Sequence, residues 1–448
     1  MFDTVLIANR GEIAVRVART CREMGVRTVA VYSTADRDSA VTRIADSAVH
    51  IGPAPARRSY LNVPAVIEAA RQSGADAIHP GYGFLSEDPD FAEVCEAHGI
   101  VFIGPPPGVM ATMGDKALAR AVLSRAGLPV LPGSEASVDD VSTARDLADG
   151  IGYPVIIKAV AGGGGRGVRV VSEPGDLPQA YHESRASAQA LFADSRVYLE
   201  RYLQSARHVE VQVLCDRYGN AVHLGERDCS VQRRHQKLIE ESPAPGLSAD
   251  LIDRMRAAAV RGALAVGYEG VGTFEFLVGG DDDFYLMEVN CRIQVEHPVT
   301  EMVTGIDLVR QQLLVASGEP LDLQQSDVVV RGVAVECRVN AEDPDRDFLP
   351  TAGTLTEFEP SGGPFVRVDT HAYRGYRVPL EYDSLLAKAV VWAPDRDEAL
   401  ARMARVLAEF RVAGPGVCTS IGFLRTAIEH PLFRGAKHDT SFTETFLS

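Results

Sequence analysis

Residues 286–298 read LMEVNCRIQVEHP. From Glu288 onward the polar side chains fall on alternate positions: Glu288, Asn290, Arg292, Gln294 and Glu296, with Val289, Cys291, Ile293 and Val295 between them. A β-strand sends successive side chains to opposite faces, so the pattern predicts a strand with five hydrogen-bonding groups on one face. Two readings compete for that face. It is the solvated side of an edge strand in an antiparallel sheet, or it is a surface that binds something.

Residues 272–285, GTFEFLVGGDDDFY, read as the other arm of a hairpin with its turn at 279–283. If 280–283 form the loop, Gly279 pairs with Phe284 and Glu275 falls opposite Glu288. Like charges facing across two strands destabilise a sheet, and a cation between them reverses the sign. Two carboxylates with the amide oxygen of Asn290 beyond them are hard oxygen donors. Mg²⁺ and Mn²⁺ prefer that set, and Mg²⁺ commonly arrives with phosphates. A one-residue slip of register would break the pairing.

The chain has 448 residues, room for about three domains of ~150 residues each. With 46% hydrophobic and 24% charged residues it is expected to bury a full core. A formal net charge of −16 argues against a nucleic-acid partner, since phosphate backbones select basic surfaces. It leaves room for small anions in a local cationic pocket. The seven cysteines (Cys21, Cys95, Cys215, Cys229, Cys291, Cys337 and Cys418) are scattered and form no C-x-x-C pair. That pattern suits a reducing compartment and not a thiolate zinc site. No apolar run of transmembrane length and no signal-like N-terminus is seen, so a cytoplasmic protein without a membrane partner is expected.

Along the chain, strands at 4–8, 27–32, 75–79 and 100–103 alternate with helices at 13–24, 62–73 and 90–98. This alternation predicts a parallel, doubly wound, Rossmann-like sheet. Ligands bind beyond the carboxyl ends of such strands, where His79–Phe84 would lie. The first turn, residues 9–12, lacks the glycine fingerprint of a dinucleotide site. After the prolines at 105–107 come a helix through 116–126, a loop to about 140, and a strand at 152–160 carrying Lys158. The run AGGGGRG at 161–167 is followed by VRVV, a strand and not a helix. It therefore joins two strands, either as a phosphate-covering loop with Lys158 nearby or as a plain flexible turn.

Residues 208–213 and 221–224 form a further strand pair. Residues 226–237, ERDCSVQRRHQK, gather Arg227, Arg233, Arg234, His235 and Lys237 in an acidic chain. They either meet an anion or form a solvated surface loop. Helices at 249–266, 306–316, 396–410 and 417–429 and an alternating strand at 332–340 complete the chain.

Eight segments together resemble the ATP-grasp enzymes and, within them, the biotin carboxylases. They are IANRGEIA (7–14), IHPGYGFLSE (78–87), MGDK (113–116), the glycine run (162–167), ERDCSVQRRHQK (226–237), GTFEFL (272–277), EVNCRIQVEHPVTE (288–301) and AVECRVNAED (334–343). The likeness spans nearly the whole chain. It implies a Rossmann-like N-terminal domain (1–114), a central ATP-grasp domain (115–330) with a mobile lid over about 130–203, and a C-terminal β-rich domain (331–448).

The resemblance also implies a site. ATP would be held by Lys116, Lys158, Gly164, Gly165, Glu200, Arg201, Tyr202, Leu203, His208, Gln232, His235 and Leu277. Two Mg²⁺ or Mn²⁺ ions would sit on Glu275, Glu288 and Asn290. Bicarbonate would be held by Lys237, Arg292, Gln294 and the backbone of Val295, and Arg338 would meet biotin. Glu296 would be the general base that deprotonates bicarbonate for attack on the γ-phosphate. Ala161 replaces the first of five glycines common in the family, and Cys291 stands where threonine is common, on the apolar side of the predicted strand.

The sequence ends at Ser448 without an A-M-K-M biotin-attachment motif. The resemblance thus implies biotin on a separate biotin carboxyl carrier protein, with carboxyltransferase subunits as further partners and a homodimer as the assembly. The context would be acetyl-CoA carboxylase. The alternatives are the corresponding part of a pyruvate or propionyl-CoA carboxylase, another ATP-grasp ligase, or a non-catalytic nucleotide-binding subunit.

Overall fold

The computed structural model describes residues 1–161, 167–280 and 282–447. Strands Thr4–Ile7, Arg27–Ser33, Ser47–Gly52, Ala77–His79 and Val101–Phe102 form a parallel five-stranded sheet in the spatial order third, second, first, fourth, fifth. The order reverses between Thr4–Ile7 and Ala77–His79, and the crevice beyond their carboxyl ends is the place where such sheets bind ligands. Asn9 ties this crevice together, donating from Nδ2 to Pro80 O (2.6 Å) and Tyr82 O (2.8 Å). Gly81 has φ of 64°, and a Cβ there would stand 2.9 Å from Asn9 Nδ2, so only glycine fits. The edge strand Ser47–Gly52 was not expected from the sequence. It is largely half-exposed, with no clean alternation to mark it.

A smaller three-stranded antiparallel sheet, Val168–Val171, Val155–Ala159 and Val197–Arg201, lies within residues 130–203. Helices Val141–Ile151 and Leu177–Phe192 pack on it around a separate core containing Val138, Ala144, Ile157, Tyr181 and Leu199. The strands on either side of the glycine run pair antiparallel, as expected of a hairpin. Gly164 and Gly165 themselves lie outside the described residues.

An eight-stranded antiparallel sheet dominates the rest. Its order is Phe284–Asn290, Gly270–Val278, Arg207–Cys215, Ala221–Arg233, Gln236–Ser242, Val333–Asn340, Leu385–Ala393 and Val366–Thr370. It runs without a break across position 330, because Gln236–Ser242 pairs with Val333–Asn340. Helix Ala249–Ala265, capped by the Ser248 side chain on Leu251 N–H, buries Leu251, Met255, Ala258 and Ala259. Full burial of side chains the size of Leu251 and Met255 is worth about 2 kcal/mol each. Helices Arg396–Glu409 and Ile421–Glu429 cover the part of the sheet that carries Val335 and Ala389. Among the described residues no helix is long and apolar enough to cross a membrane.

Candidate active site

The opening hairpin has the predicted charge pairing but reaches it by a different route. Val278, not Gly279, pairs with Phe284, so the turn is one residue longer than expected. A bulge then leaves Met287 as an extra residue in the returning strand, and Glu275 comes to lie opposite Glu288 after all. The next strand continues the row: Glu275 faces Glu210, and Glu210 faces Arg227. Three carboxylates and one arginine thus stand side by side across four strands.

The strand does not continue to Glu296 as alternation suggested. It ends at Asn290, where the Cys291 N–H is taken by the Glu87 carboxylate (2.8 Å) and not by a neighbouring strand. Glu296 instead precedes the helix His297–Thr304. Folding back rather than extending, residues 290–296 still bring all five polar groups to one cavity of about 1510 Å³. The apolar side of the pattern survives, with Cys291 and Ile293 buried in cores.

Lys237 is the electrostatic hub. Its Nζ lies 2.6 Å from Glu210 Oε2, 2.9 Å from Glu275 Oε1 and 2.6 Å from Glu296 Oε1, which accounts for the three donors of an ammonium. Burial opposes ionisation of Glu296, but Lys237, Arg338 and Arg227 outweigh it and hold its carboxyl well below the usual range. Glu275 behaves alike: burial is overcome by Lys237 and by His208, whose Nε2 is 3.1 Å from Glu275 Oε2. Burial would lower the His208 pKa, and Glu275 reverses this and raises it.

The proposed metal ligands also meet. Glu275 Oε1 accepts from Asn290 Nδ2 (2.8 Å), and Glu288 and Asn290 line the same cavity. An all-oxygen set of two carboxylates and an amide fits a hard divalent ion.

Of the residues expected to hold ATP, Lys116 opens the helix Lys116–Arg125, whose first turn is capped by Asp115, and its Nζ is 2.5 Å from Glu288 Oε2. Lys158 Nζ donates to Glu200 Oε2 at 2.5 Å, and Arg120 holds the other oxygen. Lys116, Lys158, Arg201, Tyr202, Leu203, His208, Gln232, His235 and Leu277 all line the cavity. Glu200 does not; it is buried beneath, where it fixes Lys158.

Arg292 donates from Nε to Glu87 (2.8 Å) and from Nη1 to Gln294 Oε1 (2.8 Å), while Gln294 Nε2 donates to Glu275 (3.0 Å). Arg338 bridges Glu240 and Glu296, with Nε 2.6 Å from Glu240 Oε1 and Nη2 2.9 Å from Glu296 Oε2.

The basic stretch 226–237 is not a surface loop. It is the strand Ala221–Arg233, a tight turn at Arg234–His235 and the start of the next strand. Arg227 is wholly buried against Glu210, and Arg233 and Arg234 both bind Asp347. Of the five, Arg233, Arg234, His235 and Lys237 line the cavity, and Arg227 does not.

Sequence reasoning missed Glu87, Glu210 and a chain of contacts from the N-terminal domain. Tyr82 donates to Glu12, Glu12 lies 3.1 Å from Lys388 Nζ, and Lys388 donates to Val295 O at 2.8 Å. Lys388 is 0% exposed. Glu210 had a legible signal, since it alternates with His208 and Gln212 on one strand face. Lys388 had none, as nothing near it in the chain marks it as polar-facing.

Known proteins resemble this chain over its whole length. Residues 1–110 match the model for the biotin carboxylase N-terminal domain, 115–324 the carbamoyl-phosphate synthase L chain ATP-binding domain, and 336–445 the biotin carboxylase C-terminal domain. The chain is 51% identical over 443 residues to a biotin carboxylase of Nostoc sp., covering 99% of each. A crystal structure of a Campylobacter jejuni biotin carboxylase–β,γ-ATP complex superposes with a TM-score of 0.97 at 48% identity, over 99% of each chain. The biotin carboxylase domain dimer of Hydrogenobacter thermophilus 2-oxoglutarate carboxylase, solved with MgADP, ADP and bicarbonate, gives 0.96 at 43% identity over 99% of this chain and 98% of that one. Full-length identity near one half, together with the three domain models matched in order, means that the chain belongs to the biotin carboxylase family of ATP-dependent ligases.

Proposed function

We propose that this site carboxylates biotin with bicarbonate and ATP through carboxyphosphate, the biotin being presented on a separate biotin carboxyl carrier protein. The observation that carries the reading is the placement of Glu296 between Lys237 and Arg338, beside the Glu275–Glu288 pair. Lys237, Arg292, Gln294 and the Val295 backbone hold bicarbonate, and the nucleotide lies against Lys116, Lys158, residues 201–203, His208, Gln232, His235 and Leu277.

Bicarbonate is a weak nucleophile, and Glu296 takes its proton as it attacks the γ-phosphate. A carboxyl held so low is a poor base while Lys237 and Arg338 stay on it. When those cations turn to the incoming anion, the basicity of Glu296 rises where it is needed. Glu275, Glu288 and Asn290 would hold Mg²⁺ or Mn²⁺, which when bound neutralises charge on the transferring phosphoryl group. Carboxyphosphate yields CO₂ and phosphate, the phosphate takes the ureido proton of biotin, and Arg338 stabilises the enolate. Residues 130–203 act as a lid that keeps water from the intermediate. The division at 114 and 330 assigns the base and metal ligands to the central domain and Arg338 to the C-terminal one.

The same reading places the protein in the cytoplasm as a homodimer working with carboxyltransferase subunits, within acetyl-CoA carboxylase and hence fatty acid synthesis. A 2-oxoglutarate carboxylase among the structural neighbours shows that the same architecture also serves other acceptors. The deciding assay is ADP release from MgATP with bicarbonate, with and without free biotin. Stimulation by biotin is the expected result, and turnover that ignores biotin but requires an amine would replace this function with another ligase activity.

A further inference from the structure

Behind Arg338 the eight-stranded sheet buries two carboxyl groups face to face. Glu240, on Gln236–Ser242, pairs directly across the strands with Glu336, on Val333–Asn340, and both are wholly buried. Glu240 Oε1 accepts from Arg338 Nε (2.6 Å) and lies 2.5 Å from its Nη2. Glu240 Oε2 and both oxygens of Glu336 have no hydrogen-bond partner. The charged groups that face Glu336 are Lys388, Glu240, Arg338 and Glu296, and those facing Glu240 are Arg338, Glu296, Lys237 and Glu336.

Two ionised carboxylates cannot share a dry cross-strand position with three bare oxygens between them. The pair must retain a proton. Burial pushes Glu336 well above the carboxylate range, and for Glu240 burial outweighs Arg338 and lifts it to about 7. The apparent titration belongs to the pair and not to either residue.

Arg338 is therefore pulled from two sides, by a pair bearing one negative charge behind it and by Glu296 in front. We infer that the Glu240–Glu336 pair is a positioning device for Arg338, the proton it retains limiting it to one negative charge that balances the pull of Glu296 so that the guanidinium stays available to biotin. This rests on the assignment of Arg338 to biotin. With Glu240 uncharged the guanidinium collapses onto Glu296; with both carboxyls ionised it is drawn back out of the cavity.

The test uses the full chain with MgATP, bicarbonate and free biotin. Glu240→Gln is expected to raise the KM for biotin about ten-fold while the KM for ATP moves much less. Wild type is expected to lose kcat/KM for biotin on the alkaline side as the retained proton leaves, and Glu336→Gln, which cannot acquire the second charge, to lack that limb. A wild-type biotin KM in Glu240→Gln, or an alkaline profile in Glu336→Gln that matches wild type, each overturns the inference. Melting curves accompany both variants, and if Glu240→Gln does not fold, the Glu336→Gln profile decides alone. Arg338→Gln is run in parallel. If it leaves biotin turnover intact, the biotin role of Arg338 falls; if it abolishes turnover while both glutamine variants behave as wild type, only the positioning role falls.

Discussion

Nζ of Lys237 lies 2.6 Å from Oε1 of Glu296. The proposed base is thereby kept ionised and quenched by the cation that would also bind its substrate, which links binding of bicarbonate to release of the base. Glu296→Gln keeps the shape and removes the proton acceptor. Bicarbonate-dependent ADP release should fall by about 10²–10⁴-fold with nucleotide binding retained, as read by a coupled assay and an ATP titration. Normal turnover in this variant removes Glu296 from the chemistry.

Glu275 is shared by Lys237, His208, Asn290 and Gln294, and it faces Glu288 across the strands. Glu275→Gln lowers the charge of the oxygen set by one. The affinity for Mn²⁺ in the presence of ADP should weaken about ten-fold or more, measurable by electron paramagnetic resonance of free Mn²⁺. An unchanged affinity would place the ion elsewhere.

Lys388 is a buried cation with Glu12 at 3.1 Å and the Val295 carbonyl at 2.8 Å. Lys388→Met strands the Glu12 charge and frees the loop that precedes Glu296. The expected loss is about 3–5 kcal/mol of stability together with a raised KM for bicarbonate. Adding Glu12→Gln should restore much of the stability but not the KM. Recovery of both would mean that Lys388 matters only for charge balance.

Buried histidines set an acid-side slope. Burial lowers His79 to about 4 from its ordinary 6.5, and burial with Arg10 lowers His371 to about 3. Both are neutral when folded, whereas the unfolded chain takes up protons below 6.5. Stability should therefore be full above about pH 6.5 and fall as pH drops toward 4, by about 3 kcal/mol for His79 alone. Urea midpoints of wild type and His79→Gln between these values check it: the variant should show the shallower slope.

Much of the site was legible from sequence because its signals are local. The hairpin opposite Glu288, the glycine run between two strands and the parallel alternation of the first hundred residues hold in the structure, and the strand alternation holds only as far as Asn290. The register of Glu275 on Glu288 was reached with a turn one residue too short, and the Met287 bulge supplied the difference. A bulge is chosen by how two strands twist on their neighbours, which no single strand encodes.

The basic stretch divides for a related reason: four of its five basic residues line the cavity and Arg227 does not. Composition shows that Arg227, Arg233, Arg234, His235 and Lys237 are close in the chain but not that Arg227 faces inward to Glu210 while Arg233 and Arg234 reach Asp347.

The residues around Glu288 determined by themselves a hairpin with a carboxylate on each arm and an amide two residues from Glu288, because side-chain alternation and turn chemistry act over a few residues. Only the tertiary structure decided that the chain folds back after Asn290, that Lys237 is shared among Glu210, Glu275 and Glu296, and that Glu12 and Lys388 hold Val295 from behind. Those arrangements depend on which buried charges find partners far away in the chain, and a buried charge is stable only where the whole fold brings its counter-charge to it.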